Sequence, residues 1–330
     1  MKSSLVRIAI AALAIGTLTA CGSASPTGPS AGSGTPGAGF PRTVEHAMGT
    51  TTIPAQPQRI VALDDSYVEQ ALMLETQVVG YTDYRTEGGG LAEHLGASRS
   101  FGAGAVSVGP LTAPSVERVA TLDPDVIVSA KVRHEKQYSQ LSAIAPTVMS
   151  ETTGQTWREN IALLAKSLGK ESLAAERLTQ YEAEAAKVGR AVRAKAGEQA
   201  TISVVRFVTS GPTRLYGRKS FTGMVIADAR LARPAAQDVD ELMVEISPEQ
   251  IPMADGTRIF VATNGAKAAD ARGEFERNPL WASLVPKVVT VEDREWISSV
   301  SVQGAYTILA DIAAAFGVEG PAIPSWISGR

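Results

Sequence analysis

Guanidinium groups and aromatic rings recur in this 330-residue chain directly after short apolar runs. Loops in that position are where open α/β sheets meet their ligands. "RIVAL" (59–63) is followed by Asp64, Asp65, Ser66 and Tyr67, and "QVVGY" (77–81) by Asp83, Tyr84 and Arg85. "DVIVS" (125–129) leads to Lys131, Arg133, His134 and Tyr138. Further on come Arg206, Arg214, Tyr216, Arg218 and Phe221, then Asn264, and finally Trp296 beyond the last apolar run. An arginine aims two aligned N–H donors at paired oxygens, while an aromatic ring covers a flat organic face. Arg85, Arg133 and Arg214, with Tyr84 and Trp296, lead the candidates for ligand contact; Tyr67, His134 and Tyr216 complete the set. Each also has an ordinary reading as a solvated charge or a packing ring. Asp64, Asp65 and Asp83 lie on neighbouring loops and would serve a neutral or cationic ligand instead.

Other chemistries find little footing. His46, His94 and His134 are far apart, with no cysteine or carboxylate at ligand spacing, so direct metal ligation is not expected. No Gly-x-Ser-x-Gly elbow joins an apolar run to a helical pattern, and His-Glu-x-x-His is missing. "SLGKES" lacks both the Gly five residues before Gly169 and the Ser or Thr after Lys170 that a phosphate loop requires. Neither an enzyme nor a resident cofactor is expected.

The loops need elements to hold them. "RIVAL", "QVVGY", "DVIVS", "ISVVRFV" (202–208), "RIFVA" (258–262) and "KVVTV" (287–291) alternate with helical patterns. Such bounded runs argue for an α/β fold with parallel sheets covered on both faces. Ligands then bind at loops on the carboxyl ends of the strands, and a cleft between two sheet bodies is the expected pocket. In the middle, Thr156-Trp157-Arg158-Glu159 fits a capping box. Trp157, Ile161, Leu164 and Leu168 share one face, and Gly169 can close that helix. Ala174, Leu178, Tyr181, Ala185, Val188 and Val192 then repeat at alternating four- and three-residue spacing. Glu171, Glu176, Glu182 and Glu184 lie toward the start of this pattern, and Lys187, Arg190, Arg193 and Lys195 toward its end, which complements a helix dipole. A helix over 171–195 would be roughly 37 Å long. It is long enough to brace two bodies, although a long surface helix within one body fits the same pattern. Trp157 and Trp281 read as core.

An internal echo supports two halves. "SVERVATLDPDVIV" starts at Ser115 and "SPEQIPMADGTRIFV" at Ser247. Both run Ser-x-Glu-x-[Val/Ile], reach an Asp six residues after the Glu, and enter a strand; Pro-x-Val follows each, at Pro146 and Pro286. Chance likeness of short patterns is the competing reading.

At the front, Lys2 and Arg7 give a short basic segment and the chain from Ile8 to Ala20 is apolar or small, the layout of a secretory signal and too short for a spanning helix. It ends Leu18-Thr19-Ala20-Cys21, on the chain's only cysteine. This resembles the lipobox of bacterial lipoproteins, which implies cleavage before Cys21 and acylation of its thiol. An ordinary secretion signal with an incidental cysteine is the alternative. "GSASPTGPSAGSGTPGAG" behind it has too few apolar side chains to bury and should be a flexible tether. The expected organisation is a signal peptide over 1–20, lipidated Cys21 and tether over 21–40, an N-terminal lobe over 41–153, a helical segment over 154–197 and a C-terminal lobe over 198–330. No internal disulfide is open to the exported part. Without Lys2 and Arg7, 29 of the 31 basic residues face 34 acidic ones, a net charge of −5. Nothing in that balance suggests nucleic acid.

Across about residues 42 to 316, "PQRIVAL", "VERVATLDPDVIV", "TWRENIALLAKSLGK", "RLYGRKSFTGMVIADARLARP", "EISPEQ", "NPLWASL" and "YTILADI" follow one another in an order that resembles the iron-siderophore, haem and cobalamin substrate-binding proteins of bacterial ATP-driven importers. The resemblance implies two Rossmann-like lobes joined by one long rigid helix, with the ligand cleft between them. It implies a ferric siderophore as cargo, its iron bound through the chelator, and delivery to an ABC permease dimer by a monomeric receptor. Glu117 and Glu249, one per half, match the family's permease-docking positions. Both also lie near helix starts, where a carboxylate is favourable in any case. A haem or corrinoid carrier, or an envelope sensor on the same scaffold, are the other readings. The lipobox implies a place on the outer face of the cytoplasmic membrane, held by the lipid alone. Cys21→Ser should therefore abolish palmitate incorporation and move the protein from the detergent phase to the aqueous phase in Triton X-114 partitioning; a variant that still partitions with detergent would refute the anchor.

Overall fold

Each apolar run that alternates with a helical pattern forms a strand in the computed structural model, which describes residues 39–83, 90–209 and 211–329. A small antiparallel hairpin of β1 (Arg42–His46) and β2 (Gly49–Ile53) comes first. The first lobe is built on β3 (Arg59–Ala62), β4 (Gln77–Asp83), β5 (Val106–Pro110), β6 (Val126–Ala130) and β7 (Thr147–Ser150). Its sheet runs β5-β4-β3-β6-β7 with every pairing parallel. Its helices are α1 (Asp65–Met73), α2 (Val116–Thr121), α3 (Lys131–His134) and α4 (Tyr138–Ser142), with a 3₁₀ segment over Glu93–Gly102.

Two longer helices follow, α5 (Trp157–Leu168) and α6 (Glu171–Ala196). The second lobe holds β8 (Ile202–Val208), β9 (Thr213–Tyr216), β10 (Met243–Ile246), β11 (Arg258–Asn264) and β12 (Val288–Val291), in the order β10-β9-β8-β11-β12. Around them lie α7 (Phe221–Asp228), α8 (Ala266–Glu276), α9 (Pro279–Ala282), α10 (Val302–Phe316) and α11 (Ser325–Ser328). Both sheets share the doubly wound order, third-second-first-fourth-fifth, so the echo in the sequence is an echo in topology. They differ in one respect. β9 pairs antiparallel with β8, and β10 antiparallel with β9. Only residues 209–212 separate β8 from β9, including Gly211 at φ 102°. A link of that length can close a hairpin but cannot carry a crossover helix.

Strand alternation divides the core. Ile60, Ala62, Val126 and Val128 of the first sheet join one large cluster with Ile202, Val204, Phe260 and Ala262 of the second. The residues between them face outward: Val61, Leu63 and Ile127 in one smaller cluster, Val205, Ile259 and Val261 in another. The inner faces therefore share a spine of helices. Tyr181, Ala185, Val188 and Val192 bury the expected stripe of α6, and Trp157, Ile161, Leu164 and Leu168 bury that of α5. Edge-to-face contacts of Trp157 with Tyr181 (5.9 Å) and Phe221 (5.4 Å), and of Tyr181 with Tyr306 (6.1 Å), join α5, α6, α7 and α10.

At 26 residues, α6 is about 39 Å long. Its two ends hold different lobes. Lys170 Nζ donates to the carbonyls of Leu74 (2.7 Å) and Glu75 (2.9 Å), and Arg177 pairs with Glu75. At the far end Arg193 Nη1 donates to the carbonyls of Ala229 (3.0 Å) and Arg230 (2.7 Å), and Lys195 Nζ to Gly317 (2.9 Å). Three sequence expectations need correction. Thr156 precedes α5 but forms no capping box, because its hydroxyl donates to Thr152 O at 3.0 Å. Phe40, assigned to the tether, is buried against the main core. The C-terminal residues leave the second lobe: α11 packs on the 3₁₀ segment of the first, where a Cβ on Gly96 would meet Ile327 O at 1.9 Å.

A Cβ on Gly189 would lie 1.7 Å from Ala229 O, a backbone atom that cannot rotate away. Gly189→Ala must push α6 off α7, and overpacking of this kind costs about 1–3 kcal/mol. The expected result is a thermal midpoint lower by several degrees with far-UV circular dichroism unchanged at 20 °C.

Candidate ligand-binding cleft

On the first lobe, three strand ends converge. Asp64 follows β3 and caps α1, accepting from Ser66 N (3.0 Å) and Ser66 Oγ (2.6 Å). Its other oxygen accepts from Arg133 Nε at 3.0 Å, from the segment after β6. Arg133 Nη2 lies 3.4 Å from Thr153 Oγ1, beyond β7. Next to this pair, burial first and then the charges of Glu69, Asp64 and Asp83 hold the Asp65 carboxyl well above the ordinary range, against the pull of Arg294. Asp83 accepts from Ser107 Oγ at 2.6 Å.

The second lobe answers with a buried ion pair. Arg206, on β8, donates from Nε to Asp293 Oδ1 (2.5 Å) and from Nη2 to Asp293 Oδ2 (2.7 Å). Its Nη1 donates to Tyr216 Oη at 3.1 Å, and Asn264 Nδ2 reaches Asp293 Oδ2 at 2.8 Å. Burial works against the guanidinium charge, but hydrogen bonding to Asp293 and the fields of Tyr216 and Asp293 more than offset it, so Arg206 is raised above its ordinary value. The four side chains come from β8, β9, β11 and the loop after β12. Of these four, Tyr216 borders a recess of about 80 Å³, lined also by Gly154 from the segment between the lobes and by Phe221, Leu242, Trp296, Ile297 and Val300. The larger groove of about 660 Å³ lies away from the strand ends, between α6 and the C-terminal segment, and includes Glu75, Glu176 and Glu184 in its wall.

Residues 60–318 match the family described as periplasmic binding protein, over most of the chain and across both sheets. The chain belongs to this family. Proteins similar to it include the probable siderophore-binding lipoprotein YfiY of Bacillus subtilis (strain 168), 32% identical over 336 residues, covering 96% of this chain and 99% of that protein. The Fe(3+) dicitrate-binding periplasmic protein FecB of Escherichia coli (strain K12) is 27% identical, covering 84% and 91%. Among solved structures, Staphylococcus aureus SirA complexed with staphyloferrin B superposes with a TM-score of 0.74 at 27% identity, covering 84% of this chain and 99% of that one.

Within this binding-protein fold the nominated residues separate into distinct groups. Cys21, Tyr84 and Arg85 lie outside the described residues. Arg133 follows β6, Arg214 lies opposite Arg206 across the antiparallel β8–β9 pair, and Tyr216, at the other end of β9, lines the recess. Arg214 faces Glu245 across the β9–β10 pair, Nε to Oε1 at 3.7 Å. Arg218 is engaged at the rim by Asp238 at 2.9 Å. Three others serve the wall in this conformation. His134 is buried with both ring nitrogens occupied, by Ser129 Oγ at 2.7 Å and Leu111 O at 2.6 Å, so neither is open for axial ligation of a haem or corrinoid. Trp296 is fully buried, stacked on Phe260 at 4.5 Å with its Nε1 donating to Asp311 at 2.7 Å. Tyr67 packs inside the first lobe, and burial pushes its hydroxyl far above the ordinary value.

Glu117 and Glu249 occupy equivalent places, each in the first turn of the helical segment before the fourth strand of its lobe. Both are exposed. Its own backbone N–H and the Ser115 hydroxyl (3.0 Å) hold Glu117 below the ordinary value, and the Ser247 hydroxyl does so first for Glu249. Among the described residues no His, Cys, Asp and Glu group of three could hold a metal ion, and no helix is long and apolar enough to cross a membrane.

Asp293, the anchor of the second wall, carries no motif that would have nominated it. Sequence reading finds it only as a residue beyond the last strand. Asp293→Ala should strand a buried guanidinium, at a cost of about 3–5 kcal/mol. The expected outcome is a sharply lower unfolding midpoint in urea, partly restored by combining it with Arg206→Met; an unchanged midpoint in the single variant would refute the pairing.

Proposed function

We propose that this chain is an extracytoplasmic lipoprotein that captures a ferric siderophore in the inter-lobe cleft and presents it to an ABC permease. Its near full-length likeness to a siderophore-binding lipoprotein carries this reading. The cleft chemistry supports it. A ferric chelate presents oxygens and broad organic faces, and the walls offer guanidinium donors, a tyrosine edge and apolar side chains. Arg133, part-exposed and aimed by Asp64, can share donors with cargo, while Arg206, buried against Asp293, holds Tyr216 in place at the recess. Arg85 and Tyr84 complete the proposed ligand set from the β4 loop, with Arg214 and Tyr216 from the second lobe; Tyr67, His134 and Trp296 support the wall. Because the inner faces share one core, the lobes tilt slightly around α6 and do not swing apart, which limits the ordering cost of binding.

Glu117 and Glu249 are the proposed permease contacts. Widely spaced exposed charges set register and on-rate more than affinity. Glu117→Arg with Glu249→Arg should abolish uptake while leaving cargo affinity unchanged; a loss of affinity would remove the docking assignment. For cargo, the protein should be titrated with ferric hydroxamates, ferric catecholates, ferric citrate, haem and cobalamin while tryptophan emission is followed. Trp296 borders the recess and should report occupancy. Submicromolar quenching by at least one ferric chelate is expected, and quenching by haem or cobalamin alone would overturn the siderophore reading.

A further inference from the structure

A carboxylate is buried behind the cleft, where the two lobes meet. Glu69, one turn into α1, is 3% exposed. Ser299 Oγ and Ser301 Oγ each donate to its Oε2 at 2.5 Å. His94 Nε2 lies 3.3 Å from its Oε1 and 2.9 Å from Ser299 Oγ. The directions of these bonds are fixed by their neighbours. Ser301 accepts from Gly304 N at 3.0 Å, which leaves its proton for Glu69. Ser299 donates to Glu69 and so accepts from the His94 ring. The pattern calls for an ionised glutamate and a proton on Nε2.

Glu69 and His94 belong to the first lobe; Ser299 and Ser301 belong to the second, just ahead of α10. Further bonds cross at the same place. Gln303 Nε2 donates to Glu69 O (2.9 Å), Gln70 Nε2 to Val300 O (3.4 Å) and Arg294 Nη2 to Gly90 O (3.0 Å). The segment that carries the two serines also brings Trp296, Ile297 and Val300 to the recess. A Cβ on Gly304 would meet Ser299 Oγ at 2.3 Å, so glycine is what lets this loop fold onto the carboxylate.

We propose that Glu69 and His94, acting through Ser299 and Ser301, are positioning residues that latch the cleft wall of the second lobe to the first, and that this latch loosens as pH rises. The consequence for cargo affinity rests on the cleft being the cargo seat, but the latch itself can be tested without cargo. The groups facing the pair are few. Glu295 Oε1 is 3.9 Å from His94 Nδ1, and Arg294 opposes the imidazolium charge. Asp65 lies one turn before Glu69 on α1, while Glu292 and Asp311 act on Glu295. Burial pushes Glu69 up, yet the charge and hydrogen bond of His94 and the two hydroxyls bring it below its ordinary value. Burial likewise lowers His94, and Glu69 with Glu295 outweighs it, leaving the imidazole raised.

The sign follows from linkage. A raised imidazole adds stability that is complete below its unfolded value of 6.5 and is lost as pH climbs through the raised folded value. A lowered carboxyl adds stability that is complete above its unfolded value of 4.5 and is lost as pH falls through the lowered folded value. The latch is whole between these limits. Burial lowers both other histidines, His46 and His134, so among the histidines the alkaline limb belongs to His94.

The test uses cargo-free protein, with thermal midpoint and amide-exchange protection measured from pH 6 to pH 9. The wild type should lose about 3 °C or more of its midpoint and about tenfold of its protection at residues 299–304. His94→Gln should start lower and show neither change. Gly304→Ala and Ser301→Ala keep both charges, so they should lower the midpoint while retaining its slope with pH. A flat wild-type profile, or a His94→Gln profile that follows the wild type, overturns the latch. If His94→Gln does not fold, the wild-type exchange pattern decides, because protection lost evenly over the molecule would also overturn it. Ferric citrate is the cargo probe: weaker binding at pH 9 than at pH 6 is expected in the wild type and not in His94→Gln. Failure to bind ferric citrate at any pH tells against citrate as cargo and leaves the latch standing on its own measurements.

Discussion

The inner faces of both sheets close on the same apolar spine, and the rest of the molecule follows from that constraint. One cluster runs from Ile60 and Val128 through Trp157, Tyr181 and Val188 to Phe260 and Ile312. At about 25 cal/mol per Å² of apolar surface, separating the lobes widely would expose a face that no water-filled cleft could compensate. The lobes therefore have their own outer cores but a common inner one. α6 is effective as a brace because its middle is embedded in that core while charged residues fix its two ends to different bodies. Lys170 and Arg177 hold the first lobe, and Arg193 and Lys195 the second.

Charged groups next to such a spine must be paired, and their pairing shapes the site. Arg206 lies between Asp293 and Tyr216, Arg133 against Asp64, and Glu69 beneath two serines and a histidine. Each of these would be costly alone in a low-dielectric interior. The same geometry links strand ends that are distant in sequence, so a shift of one wall is felt by the other. The segment from Arg294 to Ser301 is the clearest case: it lines the recess, and its Ser299, Val300 and Ser301 bond to Glu69 and Gln70 of α1.

Much of this was readable beforehand where periodicity speaks directly. The six apolar runs are strands, the stripes of α5 and α6 are the buried stripes, and the repeated Ser-x-Glu pattern falls at the same topological place in both lobes. The failures also have physical reasons. Thr156 has the spacing of a cap, but its hydroxyl found Thr152 O, a partner set by the local turn. β9 is short and polar at Thr213 and Arg214, so it lacks the bounded apolar signature of a buried parallel strand. His134 and Trp296 both follow strands, and that spacing does not show how their side chains pack on Ser129, Leu111 and Phe260.

The order of residues alone therefore determined the class of fold, the six apolar strands, the length of α6 and the helix starts beside Glu117 and Glu249, because each depends on spacing within one element or on a local cap. Only the tertiary structure decided which charges are available. Glu69 looks like a solvated helix carboxylate, and Asp293 like a loop residue, until chain segments 87 to 232 positions away bring Arg206, Ser299 and Ser301 against them. Electrostatics in a protein interior are fixed by neighbours in space, and no local pattern in a chain encodes who those neighbours are.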